Sequence, residues 1–169
     1  MNVFYLIIPL LFLYIAFRLL RFVFSSKKVN QFGFTGKLVY ADQGQRSRLF
    51  INKFFLISAK PDFIYKIGFR KYEVVEYKSR MGKVYESDIV QTKASVIAAR
   101  SKFNVRKALI CTKGETLEID VDKSSAEIYK EIKKETELAR KIKSKVYVAE
   151  CTKDKYKCNS CSMRKHCQV

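Results

Sequence analysis

Between Val3 and Ile15 the chain carries no charged side chain, and the apolar run continues, broken by Arg18 and Arg21, as far as Phe24. About 20 apolar residues at a rise of 1.5 Å span the roughly 30 Å hydrocarbon core of a bilayer. Residues 1–24 are therefore expected to form a transmembrane anchor; a helix lying in the lipid plane and a buried core helix are the other ways to place them. No Lys or Arg precedes the run and no Ala-x-Ala follows it, which speaks against a cleaved secretory signal. Arg18, Arg21, Lys27 and Lys28 all lie on the C-terminal flank. Because basic residues stay on the cytoplasmic side, a single pass with the following domain in the cytoplasm is expected. Five cysteines, an odd number, suit free thiols or a metal in a reducing compartment better than a disulfide framework.

What remains is enough for one domain. Residues 25–35 read as a juxtamembrane linker, 36–146 as the folded domain and 147–169 as a cysteine-rich tail. Gly36 to Ala41 and Leu49 to Ala59 are strand-like, with an Asp-Gln-Gly-Gln turn from Asp42 between them. Pro61 opens a further strand, Asp62 to Ile67, and Gly68 turns the chain into Tyr72 to Ser79. From Glu86 to Lys102 there is no Gly or Pro, and Ile89, Val90, Ala94, Ile97 and Ala98 recur at helical spacing. Val105 to Cys111 and Thr116 to Val121 form a hairpin around Lys113-Gly114-Glu115. A second helix is expected over 124–144, with Ile128, Ile132 and Leu138 as its apolar stripe. This order implies an α/β fold of the α+β kind, one mixed sheet with helices packed on it.

Within that frame the chemistry concentrates on Asp62, Glu76, Lys78 and Gln91. Thirteen residues separate Asp62 from Glu76, and twelve separate Lys78 from Gln91. Alternate residues of a strand share a face, so Glu76 and Lys78 point together while Val75 and Tyr77 point the other way, toward packing. A hairpin of the two strands brings Asp62 alongside Glu76. Two carboxylates then offer hard oxygen ligands for Mg²⁺ or Mn²⁺, with the backbone carbonyl of Tyr77 as a third donor. Lys78 is placed to orient water and to stabilise charge on a phosphate, and Gln91 to position the nucleophile or touch a phosphate. Arg80 and Lys83 follow at once and are expected to grip a nucleic-acid backbone. With 34 basic against 16 acidic residues, a net charge of +18, the chain favours nucleic acid or an anionic membrane surface as partner.

Three stretches, Ala59-Lys60-Pro61-Asp62-Phe63-Ile64, Val74-Val75-Glu76-Tyr77-Lys78 and Asp88-Ile89-Val90-Gln91, resemble in order and spacing the PD-(D/E)XK nuclease superfamily, and more narrowly its RecB-like branch. The likeness covers about residues 35–122. It implies a restriction-endonuclease-like core, a metal site built by the Asp, Glu and Lys, a Gln opening the motif on the next helix, and DNA as substrate. The chain departs from the pattern in two places. Position 95 is Ser where the family often has Tyr, and no His or Glu lies upstream to complete the metal shell. The single upstream acid, Asp42, sits in a turn and is not assigned to the site.

Cys151, Cys158, Cys161 and Cys167, separated by six, two and five residues, are too dense in a polar tail to be packing residues. Four thiolates suit tetrahedral Zn²⁺ or an iron–sulfur cluster. The late C-x2-C-x5-C spacing resembles the iron–sulfur subgroup of the same branch, which includes the CRISPR-associated adaptation exonuclease family. That resemblance implies a structural 4Fe–4S cluster, with Cys151 as the fourth thiolate. Cys111, in the apolar stretch Ala108-Leu109-Ile110, reads as a core residue, and His166 as an exposed tail residue or an alternative ligand. The expected function is thus a membrane-anchored, metal-dependent DNA nuclease. A non-catalytic nucleic-acid- or partner-binding module of the same fold, and a bilayer-tethered adaptor, are the competing readings. Anaerobically purified chain should be brown and hold iron and sulfide; a colourless protein holding zinc alone would select the other tetrathiolate site.

Overall fold

The computed structural model describes Pro9, residues 11–18, residues 29–147 and Asn159. Of the expected anchor, residues 11–18 are helical. Among the described residues no helix is long and apolar enough to cross a membrane. The rest of the anchor, and Cys151, Cys158, Cys161, Cys167 and His166 of the tail, lie outside the described residues.

Among the described residues from 29 onward there are seven strands and three α-helices, with a 3-10 turn at Gly44–Arg46: β1 (Lys37–Ala41), β2 (Phe50–Asn52), β3 (Ile57–Ala59), β4 (Phe63–Gly68), β5 (Lys71–Tyr77), α1 (Glu86–Ala99), β6 (Val105–Cys111), β7 (Thr116–Ile119), α2 (Ser125–Glu131) and α3 (Lys133–Lys143). The main sheet runs β1-β4-β5-β6-β7, with β2 and β3 as a separate two-stranded sheet. β5 and β6 are parallel and the other neighbours antiparallel. A parallel pair needs a crossover, and α1 supplies it. β5 is the central strand, buried on both faces from Glu73 to Glu76.

The helix-side core contains Phe50, Ile64, Val74, Val96, Ile97, Ala108, Ile110, Ile128 and Ile132. Small residues at the C-terminal end of α1, Ala98 and Ala99, let the helix sit close to the strands. Arg100 then closes that end of the helix. Its guanidinium donates to the carbonyls of Val105, Val121 and Lys123 at 3.0, 2.5 and 2.8 Å. On the other sheet face Tyr65, Val75, Leu109 and Cys111 form a smaller cluster with Phe32, Phe34, Phe63 and Ile67. Cys111 is a core residue, as expected. Residues 29–35, read as linker, take part in this packing. Val29 bridges to Thr35, and the Asn30 side chain accepts from the Phe32 N–H at 2.9 Å, turning both Phe rings onto the sheet.

The single strand expected over Leu49–Ala59 is two strands folded on each other, Phe50 pairing with Ala59 and Asn52 with Ile57. Asn52 makes the difference. Its side-chain oxygen accepts from the N–H groups of Phe54 and Phe55 at 3.1 and 3.3 Å, an Asx turn that ends at Leu56 with φ 50°. The same side chain donates to the carbonyl of Ile97 at 3.1 Å, docking the hairpin on α1.

The expected helix over 124–144 is also two. Ser124 and Glu127 form a reciprocal capping box at the start of α2. The backbone then leaves helical geometry at Ile132 (φ −111°) before α3 begins. This resets the helical phase, so Ile132, Thr136 and Arg140 face inward while Leu138, expected in the stripe, is 42% exposed. Arg140 donates to the Phe55 carbonyl at 2.5 Å and to the Tyr129 hydroxyl at 3.2 Å, tying α3 to the β2–β3 turn. Asn52→Ala removes three hydrogen bonds of one side chain and should destabilise the domain by about 1–3 kcal/mol. Denaturant unfolding with an unchanged m-value checks this.

Candidate functional site

The register that pairs Phe63 with Val75 sets Asp62 beside Glu76 at one end of β4 and β5. The Asp62 carboxylate accepts from the Tyr77 N–H at 2.7 Å. Glu76 points to the helix side, 0% exposed, and Lys78 turns the same way with its ammonium 3.8 Å from a Glu76 oxygen. Both carboxylate oxygens of Glu76 are engaged by α1: Ser95 donates to one at 2.7 Å and the Gln91 amide to the other at 3.3 Å. The Gln91 carbonyl oxygen accepts from Lys78 at 2.8 Å. Only one orientation of that amide serves both neighbours, oxygen toward the ammonium and NH₂ toward the carboxylate. Asp62, Glu76, Lys78 and Gln91 are thus brought into one cluster.

Burial pushes the Glu76 carboxyl up to about 7. The Ser95 hydrogen bond opposes this, as does Lys78, while the Asp62 carboxylate adds repulsion. With Glu76 ionised, two adjoining carboxylates face one ammonium, so the pocket is short of positive charge. Its donors are hard oxygens, which suit Mg²⁺ or Mn²⁺. Asp62 and Glu76 are the side chains that would hold such an ion, with the Tyr77 carbonyl on the strand between them and Lys78. Among the described residues no set of three His, Cys, Asp or Glu side chains converges on a metal position.

Ser95 is the participant that sequence reasoning set aside. In the sequence it stands out only as a departure from a pattern, yet it lies four residues after Gln91, on the same helical face. The i, i+4 spacing of Gln91 and Ser95 along α1 is the available signal. Asp42 lies closer than its turn suggested: its N–H donates to the Asp62 carbonyl at 2.8 Å. Its own carboxylate accepts from the Gly44 N–H at 3.0 Å and is held below the ordinary range chiefly by the Ser47 hydroxyl.

Arg80 and Lys83 differ in their surroundings. Arg80 is bound to Asp88 in the first turn of α1, and its guanidinium stacks 4.6 Å from the Tyr85 ring centre. Asp88 also accepts from the Tyr85 N–H at 2.9 Å, so the pair orders the entry to α1. Lys83 is exposed. A wider cavity of about 620 Å³, lined by Arg100, Lys102, Arg106 and Lys123 among others, lies at the far end of the sheet, where Tyr72 pairs with Val105.

The chain matches no known family model and no curated protein.

A second buried carboxylate, Glu73 (4% exposed), lies on the reverse face of β5, where burial raises it to about 7 against the pull of Lys107. Both Glu73 and Glu76 hold protons more tightly folded than unfolded. Their contribution to stability is complete below about pH 4.5, and is lost as pH rises through about 7. The melting temperature should therefore fall between pH 5 and pH 8 by several degrees, and Glu73→Gln should flatten part of that fall. Thermal unfolding followed by circular dichroism across that range checks both.

Proposed function

We propose that the chain is a membrane-anchored, Mg²⁺- or Mn²⁺-dependent DNA nuclease of the PD-(D/E)XK, RecB-like kind, with a structural 4Fe–4S cluster in its tail. One observation carries the catalytic part: Glu76, Lys78 and Gln91 are joined by hydrogen bonds at the end of the central strands, and Asp62 is tied beside them through the Tyr77 N–H. The mixed sheet with a helical crossover after β5 supports the fold assignment. The net charge of +18 supports an anionic polymer as substrate.

When bound, the divalent ion supplies Lewis acidity toward a phosphoryl oxygen and acidifies water. The chain's own residues do the rest. Lys78, 18% exposed on its side chain, reaches solvent where Glu76 does not, and its ammonium is the donor available to a non-bridging phosphate oxygen. That donation matters most as negative charge gathers on the non-bridging oxygens of the pentacoordinate phosphorus, so it lowers the barrier more than it tightens binding. Gln91 keeps the ammonium aimed, and Ser95 with Gln91 fixes the Glu76 carboxylate so that no reorganisation is needed when it ionises. Asp62 is steadied by the Tyr77 N–H. Water cleaves the P–O bond, leaving a phosphate monoester on one fragment and a hydroxyl on the other.

A second reading, a non-catalytic nucleic-acid-binding module, is favoured by one observation. Glu76 is wholly buried, and each of its oxygens already accepts a hydrogen bond from α1. Purified chain with DNA and Mg²⁺ separates the two. Hydrolysis should rise with pH as Glu76 loses its proton, over a range that the bound ion moves below the metal-free value of about 7. Asp62→Ala and Lys78→Ala should each lower the rate on the order of 100-fold or more. Equal cleavage by wild type and both variants would end the nuclease reading; salt-sensitive DNA binding with no metal-dependent turnover would select the binding module.

A further inference from the structure

We infer that the reverse face of the sheet, behind the carboxylate cluster, carries a stacking pocket for one unpaired base of a nucleic-acid strand. A cavity of about 480 Å³ opens there, lined by Gln31, Phe32, Phe63, Tyr77, Thr112 and Thr116, with Cys111 at its floor. This volume falls within the roughly 300–1,000 Å³ of small-molecule sites.

Its walls are aromatic and its rings are splayed. Phe32 stands 5.4 Å from Phe63 and 6.2 Å from Tyr77 between centres, each at 51°, so neither pair is face-to-face stacked. Tyr77 is 40% exposed although it belongs to the central strand. A ring left that open beside two others is a surface for a planar, weakly polar group. Polar edges are at hand as well: the Gln31 amide is exposed at the rim, and the Thr116 hydroxyl bonds to the Cys111 thiol. Lys113, exposed, directly follows Thr112 and adds positive charge where a backbone phosphate would pass.

Strand alternation ties this cavity to the carboxylate cluster. Phe63 follows Asp62, and Tyr77 separates Glu76 from Lys78, so each wall ring is the sequence neighbour of a candidate catalytic group and points to the opposite face. A strand with its phosphate at the cluster has an adjoining base within reach of the sheet end where Tyr77 lies. Base pairing would withhold that base, so the pocket selects unpaired strands. The inference rests on the nuclease reading for the placement of the phosphate, but its binding test is independent of hydrolysis.

The test uses full chain in detergent micelles with EDTA, and anisotropy of a labelled 12-residue oligonucleotide, single-stranded or as duplex. Tyr77→Ala should weaken single-strand binding roughly 5- to 150-fold, the range for losing one base–aromatic stack, and leave duplex binding unchanged. Tyr77→Phe, which keeps the ring, should bind as wild type and controls for folding. Unchanged single-strand affinity in Tyr77→Ala, or an equal loss for duplex, overturns the pocket. Unchanged affinity accompanied by a shift in sedimentation would instead mark a second copy on this face, and with a lower melting temperature another stretch of the same chain; both also overturn it. Loss of single-strand binding in Tyr77→Ala with no metal-dependent cleavage by wild type would keep the pocket and sink the nuclease. Cleavage that depends on Asp62, with binding indifferent to Tyr77, would do the reverse.

Discussion

The parallel pairing of β5 with β6 obliges the chain to leave the sheet and return across it, and α1 is that return. The crossover lowers Gln91 and Ser95 onto Glu76, so one carboxylate inside the protein is held from above by a helix and from the side by Lys78. A buried carboxylate without such partners would be strongly destabilising. Here the same bonds that make burial tolerable also join the helical layer to the central strand. Arg80 with Asp88 fixes where α1 starts, and Arg100 fixes where it ends. The placement of Gln91 and Ser95 is therefore set at both ends of the helix.

Much of this was legible in the sequence because strands and helices announce themselves by period. The alternation through Val74, Val75, Glu76 and Tyr77 gave the facing of Glu76 and Lys78 correctly, and the hairpin with Asp62 followed from the short connection at Gly68. The expectation was weaker where one side chain overrides a pattern. Nothing in the apolar stretch from Leu49 to Ala59 distinguishes a strand from a tight hairpin except Asn52, whose turn-forming hydrogen bonds appear only once the chain is folded. The break at Ile132 was invisible for a related reason. Both flanking segments have helical composition, and the interruption is fixed by packing of Ile132 in the core and Arg140 against the Phe55 carbonyl.

The site itself was read in part. Its charged members stand out by order and spacing, whereas Ser95 carries no charge and gains its role from a bond across 19 residues of sequence. Arg80 shows the opposite limit. Its position after the strand suggested a hand extended to substrate, and the structure gives its guanidinium to Asp88 and Tyr85. An ion pair within the chain is a role for Arg80 that its place in the sequence does not announce.

The two faces of β4 and β5 divide their labour by parity alone: Asp62 and Glu76 look one way, Phe63 and Tyr77 the other. A change of side chain at any of these positions alters one face and spares its neighbour. Loss or gain of a single residue within either strand acts differently, because it turns every later side chain through the sheet. It would drop an aromatic ring under α1 and expel an acid onto the reverse side. Divergence of this chain should thus proceed by substitution inside these strands, with length variation confined to the bends that connect them.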